Sequence, residues 1–334
     1  MKRLLIAGLI GVVLAAAVGA GGVLLGWSRW QAPGPSAETV RVLIPRGTGL
    51  KKITALLAEN GVLRPGLDTY IFPLGVKLTD QAARLQAGEY DIPPGLTMAE
   101  VARRLTAGDG IVQRPFTVAE GLTTPVVLDM LRAVQELDGA ITLAPKTGDL
   151  LPETYHYLRG DTRDGVIRRM TAAMDSALKE LWPTRAKDLP IKTPEEAVVL
   201  ASIVERETAI AAERPQVAAV FVNRLRLGMP LQSDPTVIYG LSPDTGTLDR
   251  PLLRSDLDAD HAWNTYVIPG LPPSPIANPG RESLAAVLNP ADTKDLYFVA
   301  DGTGGHAFAR TLEEHNRNVA KWRKVQREKR SAGE

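Results

Sequence analysis

The sequence predicts an α+β protein in three parts: a single N-terminal transmembrane helix, a small α/β module and a larger mixed α+β domain. An uncharged apolar run opens the chain, strand-like alternation gives way to helical periodicity twice between residues 40 and 108, and beyond residue 111 long helical patterns mix with short strand-like ones. At 334 residues the chain exceeds one ordinary domain. Its 44% hydrophobic and 23% charged residues are the balance of a protein that buries a core. A formal net charge of +1 lacks the basic field that phosphates demand, so no nucleic-acid partner is expected. The absence of cysteine removes disulfides, thiolate metal sites and cysteine nucleophiles, and leaves the compartment open.

Residues 4–27 are uncharged and exceed the roughly 20 helical residues that cross a bilayer core. Lys2 and Arg3 precede this run and only Arg29 follows closely, which places the N-terminus in the cytoplasm and the bulk of the chain outside. A cleaved signal peptide is the competing reading, since the small residues from Ala15 to Gly22 could host a peptidase site. Continuation of the run through Val23, Leu24 and Leu25 favours retention. The segment QAPGPSAE (31–38) reads as a linker that lifts the folded part off the membrane and closes a first region, 1–38.

The module is placed at 39–110. Val40 to Pro45 alternates as a half-buried strand, RGTG (46–49) breaks it, and Leu50 to Gly61 is helical. The pattern repeats: GEYD (88–91) is strand-like, PPG (93–95) turns, and Thr97 to Leu105 is a helix ending near Gly108. Thr97 and Glu100 form a capping box at its start. This region resembles a LysM-like glycan-binding module; a spacer without a ligand would show the same pattern.

The larger domain is placed at 111–334. TVAEG (117–121) is strand-to-turn in character, Asp161 to Leu181 is a helix with Thr162 or Asp164 near its start, and KWRKVQREKR (321–330) is a basic, solvated helical end. The clearest helix start is at Thr193, which caps, with Pro194 in the first turn and Glu196 completing a capping box. That helix is expected to run to Ala212. Glu207 then shares a stripe with Leu200, Ile203, Val204 and Ala211, and Glu205 lies roughly opposite, near Val198, Ser202 and Ala209. A carboxyl among aliphatic groups is desolvated, which raises its pKa toward neutrality and suits it to donate a proton, as glycosidic bond cleavage requires. From the helix alone, a surface Glu207 paired with Arg206 or Arg214 is the plainer alternative.

The runs ASIVERET (201–208), VFVNRL (220–225), LQSDPTVIYG (231–240), NTY (264–266), GLPP (270–273), PIANPG (275–280) and YFVA (297–300), with GHAF (305–308), Thr311 and EHN (314–316), resemble in order and spacing the YceG-like endolytic murein transglycosylases, also called MltG. Ser274 stands where that family usually has Gly, and Glu153 where Asp is commoner. The resemblance covers nearly the whole chain, since the family also begins with one membrane helix and a LysM-like portion. It implies a larger domain that is catalytic, a bacterial inner-membrane protein with that domain extracytoplasmic, and a cut between N-acetylmuramic acid and N-acetylglucosamine that leaves 1,6-anhydromuramoyl ends without consuming water. One Glu would serve as acid and then base. Glu207 precedes a hydroxyl residue, Thr208, as the catalytic Glu of lytic transglycosylases does, whereas Glu205 precedes Arg206; Glu205 is the second candidate.

Gln232, Asp234, Thr236 and Tyr239, in a turn-bearing segment after Gly228, offer donors and acceptors for a sugar cleft, although Asp234 and Pro235 could form a plain turn. Asn264, Tyr266 and the Pro/Gly-rich loop to Gly280 read as a cleft wall in which Asn278 bonds an acetamido group, or as a loop merely stiffened by its prolines. His306 and His315, with Asp234, lack the close spacing of a zinc site, so no metal and no cofactor is expected and internal hydrogen bonds are assigned to both histidines. Expected partners are peptidoglycan glycan strands and, by the family resemblance, peptidoglycan synthases in the same membrane. The competing functions are a noncatalytic glycan-binding anchor and a hydrolytic muramidase, the latter needing a second carboxylate from Asp234 or Glu205.

Overall fold

The opening apolar run forms one continuous helix, α1 (Lys2–Trp30), in the computed structural model, which describes residues 2–332. Within it, Gly8–Trp30 is the one segment among the described residues long and apolar enough to cross a membrane. The chain divides into two compact units, 1–114 with 157–161, and 115–156 with 162–334.

In the first unit, β1 (Val40–Ile44) is followed by α2 (Leu50–Glu59), α3 (Asp68–Leu78), β2 (Gly88–Ile92) and α4 (Met98–Ala107). The two strands pair antiparallel with Val42 opposite Tyr90. Alternation on β1 buries Val42 and Ile44, which join Leu57, Phe72, Tyr90 and Leu105 in the core. Thr97 and Glu100 make the capping box of α4, and Gly108 ends it at φ +76°, a left-handed conformation that costs glycine little. Two sequence expectations are corrected. The linker at 31–38, none of it buried, is tied to the module and not free: Trp30 before it is 5% exposed within the core, the Gly34 N–H donates to the Leu96 carbonyl at 3.0 Å, and the Gly95 N–H donates to the Ser36 carbonyl at 3.2 Å. Small and proline residues here let the backbone lie close against the module. Helix α3 has no counterpart in the sequence reading, because Pro73 and Gly75 discourage a helix locally. Packing overrides them: a Cβ on Gly75 would come within 2.5 Å of the Trp30 ring, so the glycine lets α3 approach α1.

The second unit contains β3 (Arg114–Thr117) apart from Arg114 and β4 (Thr154–Tyr157) apart from Tyr157, paired in a two-stranded sheet, with α5 (Thr124–Ala133) between them in sequence. It continues with α6 (Arg163–Leu181), capped by Thr162, then α7 (Pro194–Glu207), α8 (Arg214–Arg226), α9 (Asp234–Leu241), the single turn α10 (Arg254–Leu257) and α11 (Arg281–Leu288). A hairpin of β5 (Tyr297–Ala300) and β6 (His306–Ala309), with Phe298 opposite Phe308, leads into α12 (Leu312–Ala332). Every residue from Ala197 to Val204 is buried, so α7 is apolar on all sides and forms the centre of the unit, packed by α8 and α11. Its start is half of what the sequence suggests. The Thr193 hydroxyl accepts from the Glu196 N–H, but the Glu196 carboxylate accepts from the Lys192 N–H instead of returning to Thr193. Its end is earlier than expected: Glu207 is the last helical residue, because Thr208 turns extended at φ −142° and its hydroxyl accepts from the Ile210 N–H.

Candidate active site

Ending α7 at Glu207 puts this carboxyl at the negative pole of the central helix, against the core and facing a cavity of about 280 Å³. The cavity is lined by Glu207, Arg224, Gln232, Asp234, Tyr266 and His315, with Leu231 and Phe298 supplying apolar wall. Burial pushes the Glu207 carboxyl up from its ordinary 4.5 to about 7; the Ser233 hydroxyl, which donates to Oε1 at 2.5 Å, pulls the other way, and neighbouring Asp234 raises it further. The carboxyl is therefore divided between acid and carboxylate near neutral pH and can give or take a proton.

Ser233 is itself held from behind. Its N–H donates to Thr265 Oγ1 at 3.0 Å and its carbonyl accepts from Thr236 Oγ1 at 2.6 Å, while the two threonine hydroxyls bond each other at 2.9 Å. Gln232 adopts φ +53°, an uncommon conformation for a side-chain-bearing residue, fixed by its N–H donating to the Thr265 carbonyl at 3.0 Å. Arg224 projects from α8 with Nε donating to the Leu296 carbonyl at 2.7 Å and Nη1 to the Leu231 carbonyl at 2.9 Å, which clamps α8 to β5 and to the segment before α9. Its guanidinium lies 5.1 Å from the Tyr297 ring centre, and Tyr297 stacks on His315 at 5.2 Å. Burial lowers the His315 pKa, and the Arg224 charge lowers it further. The Tyr266 hydroxyl donates to Asp234 Oδ1 at 2.6 Å.

Glu205 occupies a different environment. Its side chain is 4% exposed, Oε1 accepts from Arg214 Nη2 at 3.1 Å, and Oε2 accepts from the Gly280 N–H at 2.9 Å. Arg214 also donates to Glu120 at 2.8 Å and Glu282 at 2.6 Å, so this cluster ties α7, α8 and the start of α11 together. Arg206 donates to the carbonyls of Gly121 and Gly246. Neither arginine named as a surface partner of Glu207 reaches it.

Of the sequence-derived cleft residues, Gln232, Asp234 and Tyr266 share the cavity with Glu207. Thr236, Tyr239, Asn264 and Asn278 do not, and the reason in each case is an internal bond or packing contact. Thr236 supports Ser233, as above. Tyr239 is 8% exposed and packs edge-on against Trp263 at 5.6 Å. Asn264 is fully buried, donating to the carbonyls of Leu257 and Ala259 and accepting from the Tyr266 N–H. Asn278 is fully buried too, with Oδ1 accepting from the N–H groups of Gly148 and Leu150 and Nδ2 donating to the Leu122 carbonyl. The Asp234–Pro235 step opens α9 rather than a plain turn. His306 does bond internally, Nδ1 lying 2.8 Å from Glu213 Oε2. His315 departs from expectation: it is held by ring stacking, and its buried Nδ1 has no hydrogen-bond partner among the described residues. No group of three or more His, Asp or Glu side chains arranged to hold a metal occurs among the described residues. Ser233, Arg224 and Phe298 were not singled out as site residues, though each lies inside a motif run; a buried arginine in the apolar face of VFVNRL was the signal available.

The YceG-like family model matches residues 42–321. An endolytic murein transglycosylase of Bacillus subtilis (strain 168) is 37% identical over 186 residues, 55% of this chain and 50% of that protein. One from Streptococcus pneumoniae serotype 2 (strain D39 / NCTC 7466) is 35% identical over 180 residues, 52% of this chain and 31% of that protein. The chain thus spans half or less of the length of these curated relatives. A crystal structure of a YceG-like protein from Listeria monocytogenes matches 84% of this chain and 99% of its own, at 28% identity and a TM-score of 0.51. With the family model covering most of the chain, including the central helix that ends at Glu207 and the cavity beside it, the protein belongs to the YceG-like family.

Proposed function

We propose that the chain is an endolytic lytic transglycosylase that cuts the N-acetylmuramic acid to N-acetylglucosamine bond inside peptidoglycan strands and leaves 1,6-anhydromuramoyl ends, with Glu207 as acid and then base. The Glu207 carboxyl carries this reading: burial holds it near pKa 7 and Ser233 orients it at the wall of an open polar cavity. Protonated Glu207 gives its proton to the bridging oxygen as the bond from that oxygen to the muramoyl anomeric carbon breaks. The muramoyl 6-hydroxyl then closes on the anomeric carbon and returns its proton to the Glu207 carboxylate. No water enters the products and the enzyme ends as it began. Asp234, which accepts from the Tyr266 hydroxyl and lines the same cavity, supplies the negative group that favours a developing oxocarbenium. The names of the curated relatives support the substrate and the activity class.

Asp234 supports a second reading, a hydrolytic muramidase, because it places a second carboxyl in the same cavity. Further parts of the proposal are glycan binding by the LysM-like module at 39–110, a single-pass inner-membrane location with the N-terminus in the cytoplasm and the catalytic domain at 111–334 extracytoplasmic, and peptidoglycan synthases as membrane partners. The full chain in detergent, beside its Glu207→Gln variant, is incubated with purified peptidoglycan and the fragments are weighed by mass spectrometry. Anhydromuramoyl ends from the wild type alone are expected. Reducing ends would replace the transglycosylase with the muramidase, and equal fragments from both proteins would remove Glu207 from the chemistry.

A further inference from the structure

Beyond α1, the apolar exposed surface of the first unit is concentrated on α3. Tyr70, Leu74 and Leu78 are 76, 57 and 78% exposed, while Phe72 and Val76 on the opposite face are fully buried. A helix on a water-facing surface carries polar groups outward, and this one does the reverse. Between α3 and the last three turns of α1 runs an apolar groove of about 380 Å³, lined by Gly19, Gly22 and Gly26 on one side and Ile71, Leu74 and Leu78 on the other. Nothing lies within 4 Å of where a Cβ on any of those three glycines would sit, so that side of α1 is bare backbone. On the other flank of α3 a second groove, of about 440 Å³, is edged by Lys51 and Lys77.

We propose that α3 is a membrane-seating helix: Tyr70, Leu74 and Leu78 enter the headgroup and upper acyl region of the leaflet from which α1 emerges, acyl chains fill the groove between α1 and α3, and Lys51 and Lys77 meet anionic headgroups. This proposal rests on reading α1 as a membrane span. Length supports it, because α1 has 29 residues where about 20 suffice, and the surplus at its far end places Trp27 and Trp30 at interfacial depth beside α3. Continuity supports it as well. No free spacer separates span from module, since Trp30 sits in the module core and 31–38 is hydrogen-bonded to it, so the exposed face of α3 is carried at a fixed height against the bilayer. Charge agrees: the exposed Lys51 and Lys77 edge the groove beside the apolar face, and Asp68 at the start of α3 is buried against Arg29 and Arg64.

The cysteine-free chain permits a direct test with single cysteines at Leu74→Cys and Leu78→Cys on α3, Val18→Cys on α1 and Lys321→Cys on α12. Each full-length variant is labelled with an environment-sensitive fluorophore in vesicles of phosphatidylcholine and phosphatidylglycerol that contain a shallow spin-labelled lipid. The α3 probes and the Val18 probe are expected to lose about half their emission or more, and the Lys321 probe none, as side chains at the headgroup boundary differ from those in water. Quenching at Val18 with none at Leu74 and Leu78 overturns the seating of α3 and leaves the span standing. No quenching at any of the three removes the span and the proposal with it. Shielding of the α3 probes from both spin-labelled lipid and aqueous iodide also overturns it, by placing a protein surface on that face.

Discussion

Replacing Glu207 by Gln should stabilise the protein, and do so only where the native carboxyl is held against its own ionisation. In the folded state this group titrates near 7, against an ordinary value of 4.5. Below pH 4.5 the carboxyl is protonated in both folded and unfolded chains, so its burial carries no pH-dependent penalty. Between 4.5 and 7 the unfolded chain releases the proton and the folded one retains it, and folding stability falls by about 1.4 kcal/mol per pH unit. Across the whole window the penalty reaches about 3 kcal/mol and is complete above pH 7. Glutamine keeps the shape and can still accept the Ser233 hydrogen bond, but does not titrate. Thermal unfolding of both proteins in detergent at pH 4.5 and pH 8 reads the difference directly. The variant and wild type should melt together at the lower pH and the variant about 6–12 °C higher at pH 8, since a domain of this size shifts roughly 2–4 °C per kcal/mol. A constant gap across the two pH values would refute a desolvated Glu207, and a variant that is less stable at pH 8 would mean the carboxylate is the form the fold prefers.

Ser233→Ala removes a hydrogen bond that favours the charged form of Glu207, worth about 1.5–3 kcal/mol, so the carboxyl should move up by about 1–2 pH units. If Glu207 acts first as an acid, the high-pH limb of turnover on defined glycan strands shifts upward by that amount; an unmoved limb would separate Ser233 from the titration of Glu207. Glu205→Gln should instead destabilise the fold by about 1.5–3 kcal/mol, because the nearly buried Arg214 loses its most enclosed carboxylate while keeping Glu120 and Glu282, and denaturant unfolding should show the loss. Activity at a temperature where this variant remains folded should stay close to wild type, and a thousandfold fall there would make Glu205 the acid instead.

The two carboxylates show how far local pattern reaches. Helical phase placed Glu205 and Glu207 on different sides of one helix, and their partners do differ, Arg214 and the Gly280 N–H for one and Ser233 for the other. The same phase extended α7 to Ala212, since nothing in a run of small apolar residues announces that Thr208 will turn extended and bond the Ile210 N–H. Cleft residues were harder to read. Asn264 and Asn278 have the donors and acceptors a sugar needs, yet each uses them on buried backbone groups supplied by segments distant in sequence.

Composition, periodicity and capping chemistry determined the apolar N-terminal helix, the two strand-then-helix pieces of the first module and the start of the central helix, because each depends on residues within a few turns of one another, whereas the choice of Glu207 came from the family resemblance. Tertiary structure alone decided that Trp30 belongs to the module core, that a helix survives Pro73 and Gly75 by packing on it, and that Ser233, Arg224 and His315 converge on Glu207. Those outcomes depend on which distant surfaces exclude water together, and desolvation, which sets both the packing of α3 and the proton affinity of Glu207, is a property of the assembled neighbourhood and not of any segment within it.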